Sequence, residues 1–118
     1  NYVKDSMNFG TWLIALKDNQ IIGTILLKII VQDKRAELKH LLVKEKFRNQ
    51  GAGKKLLSCA ITIAKEKRLR KVTGFVSSKY FSHLKKLASY FGFKLEGILK
   101  SHYRRNEDVY VYSLFLRK

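Results

Sequence analysis

Apolar residues follow two different periods along this chain, and its first third has the pattern of strands. Runs rich in apolar and β-branched residues cover residues 12–16, 21–32 and 36–43, a composition typical of strands. The connectors at residues 17–20 and 33–34 carry turn-forming Asp and Asn. Because these connectors are too short for crossovers, the three runs predict an antiparallel meander.

The middle of the chain changes to a helical period, which predicts an amphipathic helix over residues 51–67. The apolar positions of this helix are Ala52, Leu56, Ala60, Ile63 and Ala64. The same spacing marks a second helix at Phe81, Leu84, Leu87 and Phe91. Gly92 follows it directly, and glycine is common just past helix ends.

Three further apolar segments predict strands at residues 72–76, 93–103 and 108–117, the last two joined by a turn at 104–107. The predicted order is therefore βββ-α-β-α-ββ, an α/β fold with a mixed sheet. With 118 residues, 46% of them hydrophobic, no Pro and no repeat, we expect one domain spanning residues 1–118.

Charge and cysteine content indicate which partners and which cellular compartment to expect. The formal net charge is +16, which favours polyanionic partners such as nucleic acid, the ribosome or an acidic protein, although a lysine-rich surface explains it equally well. Cys59 is the one cysteine, so no intrachain disulfide is possible and a cytoplasmic setting is expected. No apolar run reaches the roughly 20 residues that span a bilayer, and the first five residues carry no signal-peptide pattern.

The segment that suggests chemistry is the strand-to-helix loop Arg48-Asn49-Gln50-Gly51-Ala52-Gly53-Lys54-Lys55. Two glycines allow close approach of a ligand to the backbone, and the free N–H groups of a helix start favour a diphosphate. The spacing fits neither a Walker A loop nor GxGxxG. A plain turn is the alternative interpretation.

In its context the loop resembles motif A of the GNAT superfamily of acetyltransferases, [Q/R]-x-x-G-x-[G/A], with Arg48, Gly51 and Gly53 at the fixed positions. Residues 18–23 look like the hairpin that precedes the family's central strand, and residues 36–43 look like that strand. Residues 90–93 resemble the helix-ending GF signature. The pattern His102-Tyr103 followed by Glu107-Asp108 is similar to the last hairpin of enzymes that acetylate protein N-termini.

This resemblance implies acetyl-CoA as co-substrate, direct attack by a neutral amine and no metal. The implied cofactor-binding residues are the strand backbone at Leu41, Leu42 and Val43 and the loop residues Arg48, Asn49, Gln50, Gly51, Ala52, Gly53, Lys54 and Lys55. No covalent intermediate is implied, so Cys59 is expected to be a packing residue.

Catalytic residues are less clearly marked. Glu37 matches the position of the glutamate base in histone-type members of the family, and a surface or ion-paired carboxylate is the alternative. Many members carry a Tyr acid four residues before the GF glycine, where this chain has Ala88. Tyr103 is predicted to substitute for it. Tyr80 and His83 are the other candidates.

The resemblance also sets expectations about completeness and partners. The family's usual first strand and two helices are expected to be lacking, because few residues precede Trp12. The three histidines form no metal-ligand spacing. The acceptor is a protein N-terminus, a lysine or a small amine, and the protein is a monomer or homodimer. The rival hypothesis is a basic nucleic-acid-binding module on a GNAT-like scaffold, with acyl-CoA as a regulatory ligand or none.

Overall fold

The computed structural model describes residues 10–116, apart from the side chains of residues 80–83. The elements follow the predicted order. They are β1 (Thr11–Lys17), β2 (Gln20–Ile30), β3 (Arg35–Val43), α1 (Ala52–Glu66), β4 (Lys71–Ser77), α2 (Phe81–Tyr90), β5 (Lys94–Arg104) and β6 (Glu107–Phe115). The last strand ends at Phe115, so the prediction of strand is wrong at residue 116. The prediction at residue 117 and the expectation about the missing first strand and helices fall on residues outside this description.

Within the described residues the strands form one sheet in the order β1-β2-β3-β4-β6-β5. Strands β1 to β3 are the predicted antiparallel meander. Only β3 and β4 pair in parallel, because α1 carries the chain back across the sheet between them. The mixed, mostly antiparallel sheet expected from the sequence is therefore confirmed.

The turns follow local backbone chemistry. Asp18 and Asn19 both have positive φ, 52° and 63°, as a tight two-residue hairpin requires. The prediction of strand up to residue 32 is wrong at its end. Val31–Asp33 is a 3-10 turn instead, in which the Lys34 N–H donates to the Val31 carbonyl at 3.1 Å.

The core lies between α1 and one face of the sheet. Leu13, Ile25 and Leu27 are fully buried there, and burial of a side chain of this size contributes about 1.5–3 kcal/mol. The buried face of α1 consists of Ala52, Leu56, Leu57, Ala60, Ile61 and Ala64. This packing holds the first turn of α1 beside the carboxyl end of β3, where the candidate site lies.

Candidate functional site

The glycine loop ends in a helix start that has no capping side chain. Gly51 is the N-cap residue of α1, at φ 88°. The first intrahelical bond runs from the Lys55 N–H to the Gly51 carbonyl at 3.0 Å. The N–H groups of Ala52, Gly53 and Lys54 therefore have no acceptor within the helix. Together with the positive end of the helix dipole, they form a site suited to an anion.

The space in front of this helix start is open. A Cβ added at Gly51 would meet no atom within 4 Å. At Gly53 it would meet Leu87 Cδ2 at 3.6 Å and Val43 Cγ2 at 3.7 Å, both ordinary contacts. The protein's own packing therefore does not require a glycine at either position. Gly51 is favoured by its backbone conformation at φ 88°. At Gly53, room for a ligand against the backbone is the remaining reason for a glycine, and a diphosphate fits the space.

The polar side chains of the loop brace it. Arg48 Nε donates to the Val43 carbonyl at 3.1 Å, which ties the loop to the end of β3. Gln50 Nε2 donates to the Lys46 carbonyl at 3.4 Å, and Lys17 Nζ donates to Gln50 Oε1 at 3.4 Å. Arg48, the first residue of the motif, thus stabilises the loop. The groups that face an anion at the helix start are backbone N–H groups.

A cleft of about 550 Å³ opens from the helix start, and we call it the first cleft. Its lining residues are Leu41, Leu42, Val43, Phe47, Arg48, Asn49, Gly51, Ala52, Gly53, Lys54, Leu84, Lys86, Leu87 and Tyr90. It brings together the cofactor-binding residues predicted from the sequence, except that Gln50 and Lys55 do not line it. Both of those side chains are exposed beside the loop.

The edge of β3 is open where it borders the first cleft. Its pairing with β4 ends at Leu38↔Gly74. His40, at φ 56°, lies in an irregularity of the β2–β3 register, and such a bulge bends a strand. The Lys44 N–H donates to the Ile22 carbonyl at 2.8 Å. Since amides alternate along a strand, the N–H of Val43 points away from β2, into the cleft.

A second cleft, of about 640 Å³, continues from the first. The two share Leu41, Leu42, Leu84 and Leu87, so apolar side chains line their junction. The polar and ionisable residues of the second cleft are Lys39, His40, Ser77, Tyr103, Arg104, Glu107 and Tyr112. One molecule can therefore enter from the helix start and another from the opposite end, and their reactive groups can meet at the junction.

Glu37 lines neither cleft. Its carboxylate is held by Arg35 Nη1 at 2.7 Å and lies 3.6 Å from Lys39 Nζ. Burial raises the pKa of Glu37, but the hydrogen bond from Arg35 and the charges of Lys39 and Lys28 outweigh this, so that its pKa lies below the ordinary value. Its role as catalytic base stays a prediction, and the ion-paired alternative describes its surroundings.

Tyr103 lines the second cleft, with about half of its surface exposed. It lies in an unusual part of the last hairpin. Leu99 pairs with Val109 and Arg104 pairs with Glu107, so residues 100–103 stand opposite Asp108 alone. Ser101, at the centre of this bulge, has φ 46°.

Asp108 holds this bulge in place. Its Oδ1 accepts the Ser101 N–H at 3.0 Å, and its Oδ2 lies 3.3 Å from Lys100 Nζ. The Asn106 N–H in turn donates to Ser101 Oγ at 3.0 Å. The backbone hydrogen bond from Ser101 lowers the pKa of Asp108, with a smaller contribution from Lys100. A charged, hydrogen-bonded carboxylate therefore fixes the segment that carries Tyr103.

Glu107 is the functional candidate that the sequence did not single out. Its side chain is only 16% exposed, lies in the second cleft and pairs with Arg104 Nη1 at 3.3 Å. Glu107 reaches the cleft through the pairing of β5 with β6 across a tight turn. The one sequence signal was its place in the hairpin pattern.

The remaining candidates are placed as follows. Ala88 is buried and lines the second cleft, whereas Tyr90 is 65% exposed and lines the first, so Tyr90 does not replace the missing tyrosine. The side chains of Tyr80 and His83 lie outside the described residues. Cys59 packs against the core, and burial raises its pKa.

Among the described residues, no group of His, Cys, Asp and Glu side chains is arranged to hold a metal ion. In the same part of the chain no helix has the length and apolarity needed to cross a membrane.

The model of the Acetyltransferase (GNAT) family matches residues 2–93. No curated protein gave a significant match. Among solved structures, a GNAT family acetyltransferase from Elizabethkingia anophelis with acetyl-CoA bound is 27% identical. Its TM-score is 0.79, and the match covers 92% of this chain and 77% of that one.

Two other structures share the fold at lower identity. The ribosomal-protein-S18-alanine N-acetyltransferase from Escherichia coli has a TM-score of 0.83 at 16% identity, covering 96% of this chain and 73% of that one. The IAA acetyltransferase from Bacillus cereus has a TM-score of 0.80 at 24% identity, covering 92% and 79% respectively. The likeness extends from β1 to the last hairpin, beyond the residues matched by the family model.

Proposed function

The chain belongs to the GNAT family of acetyltransferases, and from this we propose that it moves the acetyl group of acetyl-CoA to the α-amine of a protein N-terminus. One observation supports the use of acetyl-CoA above all others. An uncapped helix start opens into a cleft that runs along the unpaired edge of β3. Backbone N–H groups suited to a diphosphate and a strand edge suited to an amide-bearing arm therefore border one channel.

The protein's own groups have distinct tasks in this proposal. The N–H groups of Ala52, Gly53 and Lys54 hold the diphosphate, and the N–H of Val43 pairs with the arm. Acetyl-CoA supplies a thioester whose carbonyl carbon is attacked by the neutral amine, so that a C–N bond forms while the C–S bond breaks and the thiolate leaves. The leucines at the junction of the clefts keep water from this carbon.

Proton transfer is assigned to the second cleft. We propose that Glu37, which like any ordinary glutamate is charged at neutral pH, takes the proton of the attacking amine, although its lowered pKa makes it a weaker base. Since it does not line the cleft, the transfer must pass through water. Tyr103 is proposed to donate a proton to the leaving thiolate. Glu107 is the carboxylate that competes with Glu37 for the role of base, because it lines the cleft itself.

The preference for an α-amine follows from its acidity. An α-amino group has a pKa near 8 and a lysine near 10.4, so about a tenth of the former and about one in 2,500 of the latter is neutral at pH 7. Glu107 is the one carboxylate among the described residues of the second cleft. An amine that is already partly neutral suits such a weakly basic site.

A second candidate function rests on the net charge of +16. A basic protein of this kind binds nucleic acid through phosphates, and the GNAT-like scaffold would then hold acyl-CoA as a regulatory ligand or not at all. Such binding falls steeply with salt, whereas binding in a shaped cleft falls less. Action in the cytoplasm, as a monomer or homodimer, is part of the first proposal.

The test is a calorimetric titration with acetyl-CoA at moderate and at high salt, with heparin as the polyanion control. Saturable binding that persists at high salt, followed by thiol release with a peptide bearing a free N-terminus, supports the enzyme. The same peptide with a blocked N-terminus and a free lysine is the control for the acceptor. Acetyl-CoA binding that is lost with salt as steeply as heparin binding would refute the enzyme and favour the nucleic-acid function.

A further inference from the structure

The first cleft has an excess of positive charge that its diphosphate site does not use. Its ionisable cations are Arg48, Lys54 and Lys86, and the described residues that line it include no carboxylate. Arg48 Nε is bonded to the Val43 carbonyl. The helix N–H groups already face the proposed diphosphate. Two lysines of the cleft wall therefore remain for another anionic group.

One of these lysines lies against an exposed aromatic ring. Lys54 Nζ lies 3.8 Å from the centroid of the Tyr90 ring, a distance typical of a cation–π contact. Tyr90 is the last residue of α2 and is 65% exposed. Lys86 precedes it by four residues, so the two share one face of that helix. Lys54 of α1 and Lys86 of α2 therefore both line the first cleft.

The ligand of the proposed function carries a group that matches this wall. Coenzyme A has a phosphomonoester on the 3′-hydroxyl of its ribose, in addition to its diphosphate. A phosphomonoester carries a charge of about −1.5 to −2 at pH 7 and offers three acceptor oxygens. Resting on the proposed function, we infer that Lys54 and Lys86 bind the 3′-phosphate of coenzyme A and that Tyr90 positions Lys54. The protein then distinguishes coenzyme A from dephospho-coenzyme A.

The chain offers a matched control for this inference. Lys85 is adjacent to Lys86 on α2 and is also exposed, but it does not line the cleft. Lys86→Ala and Lys85→Ala therefore remove the same charge from neighbouring positions. Tyr90→Phe keeps the ring under Lys54, and Tyr90→Leu removes it, which separates positioning of Lys54 from any effect of the hydroxyl.

The experiment is calorimetric titration of each variant with coenzyme A and with dephospho-coenzyme A at one salt concentration. We expect the unmodified protein to bind coenzyme A at least tenfold more tightly. Lys86→Ala and Lys54→Ala should each reduce this ratio about three- to tenfold, leaving the affinity for dephospho-coenzyme A nearly unchanged. Lys85→Ala and Tyr90→Phe should preserve the ratio, and Tyr90→Leu should lower it less than Lys54→Ala does.

The outcomes separate this inference from the proposed function. Equal affinity of the unmodified protein for both compounds would overturn the 3′-phosphate site and leave acetyl transfer standing. A Lys86→Ala variant that weakens both compounds equally, or an equal effect of Lys85→Ala, would also overturn it. If neither compound binds, the proposed function and this inference are refuted together.

Discussion

The two clefts of this molecule differ in the source of their polar groups. The first is formed by backbone, in the uncapped start of α1 and the open edge of β3. The second gets its polar groups from side chains, mainly those of the last hairpin and of β3. A backbone site depends on glycines and on helix geometry. A side-chain site can be rebuilt by single substitutions. The first cleft therefore depends on the conformation of α1 and β3, and the second depends on the identity of single side chains.

The largest effect is expected when the backbone site of the first cleft is filled. Gly51→Glu should lower the affinity for acetyl-CoA more than 100-fold, because a carboxylate at the helix start occupies the anion site. The fold should survive. Strain at φ 88° costs about 1–2 kcal/mol, and a negative charge near a helix start offsets part of it. Calorimetry and thermal melting measure the two effects.

Two controls make this prediction specific. Gly51→Asn keeps a residue that tolerates the left-handed region without adding charge, and should bind within about tenfold of the unmodified protein. Gly97→Glu makes the same charge change in β5, where a Cβ meets nothing within 4 Å, and should bind normally. Undiminished affinity of Gly51→Glu would remove the diphosphate site from the loop.

Two carboxylates, Glu37 and Glu107, are candidates for the catalytic base at the second cleft. Glu37→Gln should reduce kcat roughly tenfold or more at neutral pH, and activity should partly recover at higher pH, where the amine is already neutral. Glu107→Gln is the comparison, and it should retain the pH–rate profile of the unmodified enzyme. The reverse result would transfer the role of base to Glu107. An unchanged profile for Glu37→Gln would exclude it from the mechanism.

Removing the proposed acid should have a smaller effect. Tyr103→Phe deletes one hydroxyl from the second cleft, and we expect kcat to fall several-fold while the affinity for acetyl-CoA stays the same. Steady-state kinetics with varied acetyl-CoA and varied acceptor measures both. A rise in the KM for acetyl-CoA at constant kcat would indicate that Tyr103 binds the coenzyme.

The smallest effect is expected at Asp108, which holds the segment that carries Tyr103. Asp108→Ala removes the acceptor of the Ser101 N–H and should raise the acceptor KM a few-fold. Asp108→Asn keeps an oxygen at this position and should restore most of it. The matched control is Glu96→Ala in β5 of the same hairpin. It breaks the ion pair of Glu96 with Lys71 of β4, at 2.8 Å, and neither residue lines a cleft. An equal effect of both alanine variants would point to general loosening.

The contribution of Asp108 to the stability of the fold has a defined pH dependence. Because the folded-state pKa of Asp108 lies below its ordinary value, the stability that its charged form contributes is present above the unfolded-state pKa. It is lost as pH falls through the folded-state pKa. The Asp108→Asn variant lacks this dependence, so the difference in thermal stability between it and the unmodified protein should shrink on acidification.

Local pattern predicted most of the fold because strands, helices and turns here follow their expected chemistry. The glycine loop was also visible, since two glycines stand between a predicted strand and a predicted helix. The ion pairing of Glu37 was within reach, because Arg35, Glu37 and Lys39 alternate and therefore share a face of β3. The placement of Glu107 and Tyr103 was not, because it depends on a bulge set by Asp108 across the hairpin.

The open edge of β3 also affects the rates at which neighbouring backbone amides exchange their hydrogens with solvent. The amide of Lys44 is bonded to the Ile22 carbonyl, so it exchanges its hydrogen with solvent only when the sheet opens locally. The neighbouring amide of Val43 faces the cleft and exchanges whenever water reaches it. Two adjacent amides thus record different events, the opening of the sheet and the occupancy of the channel. Their exchange rates should diverge in the free protein and converge when the channel is filled.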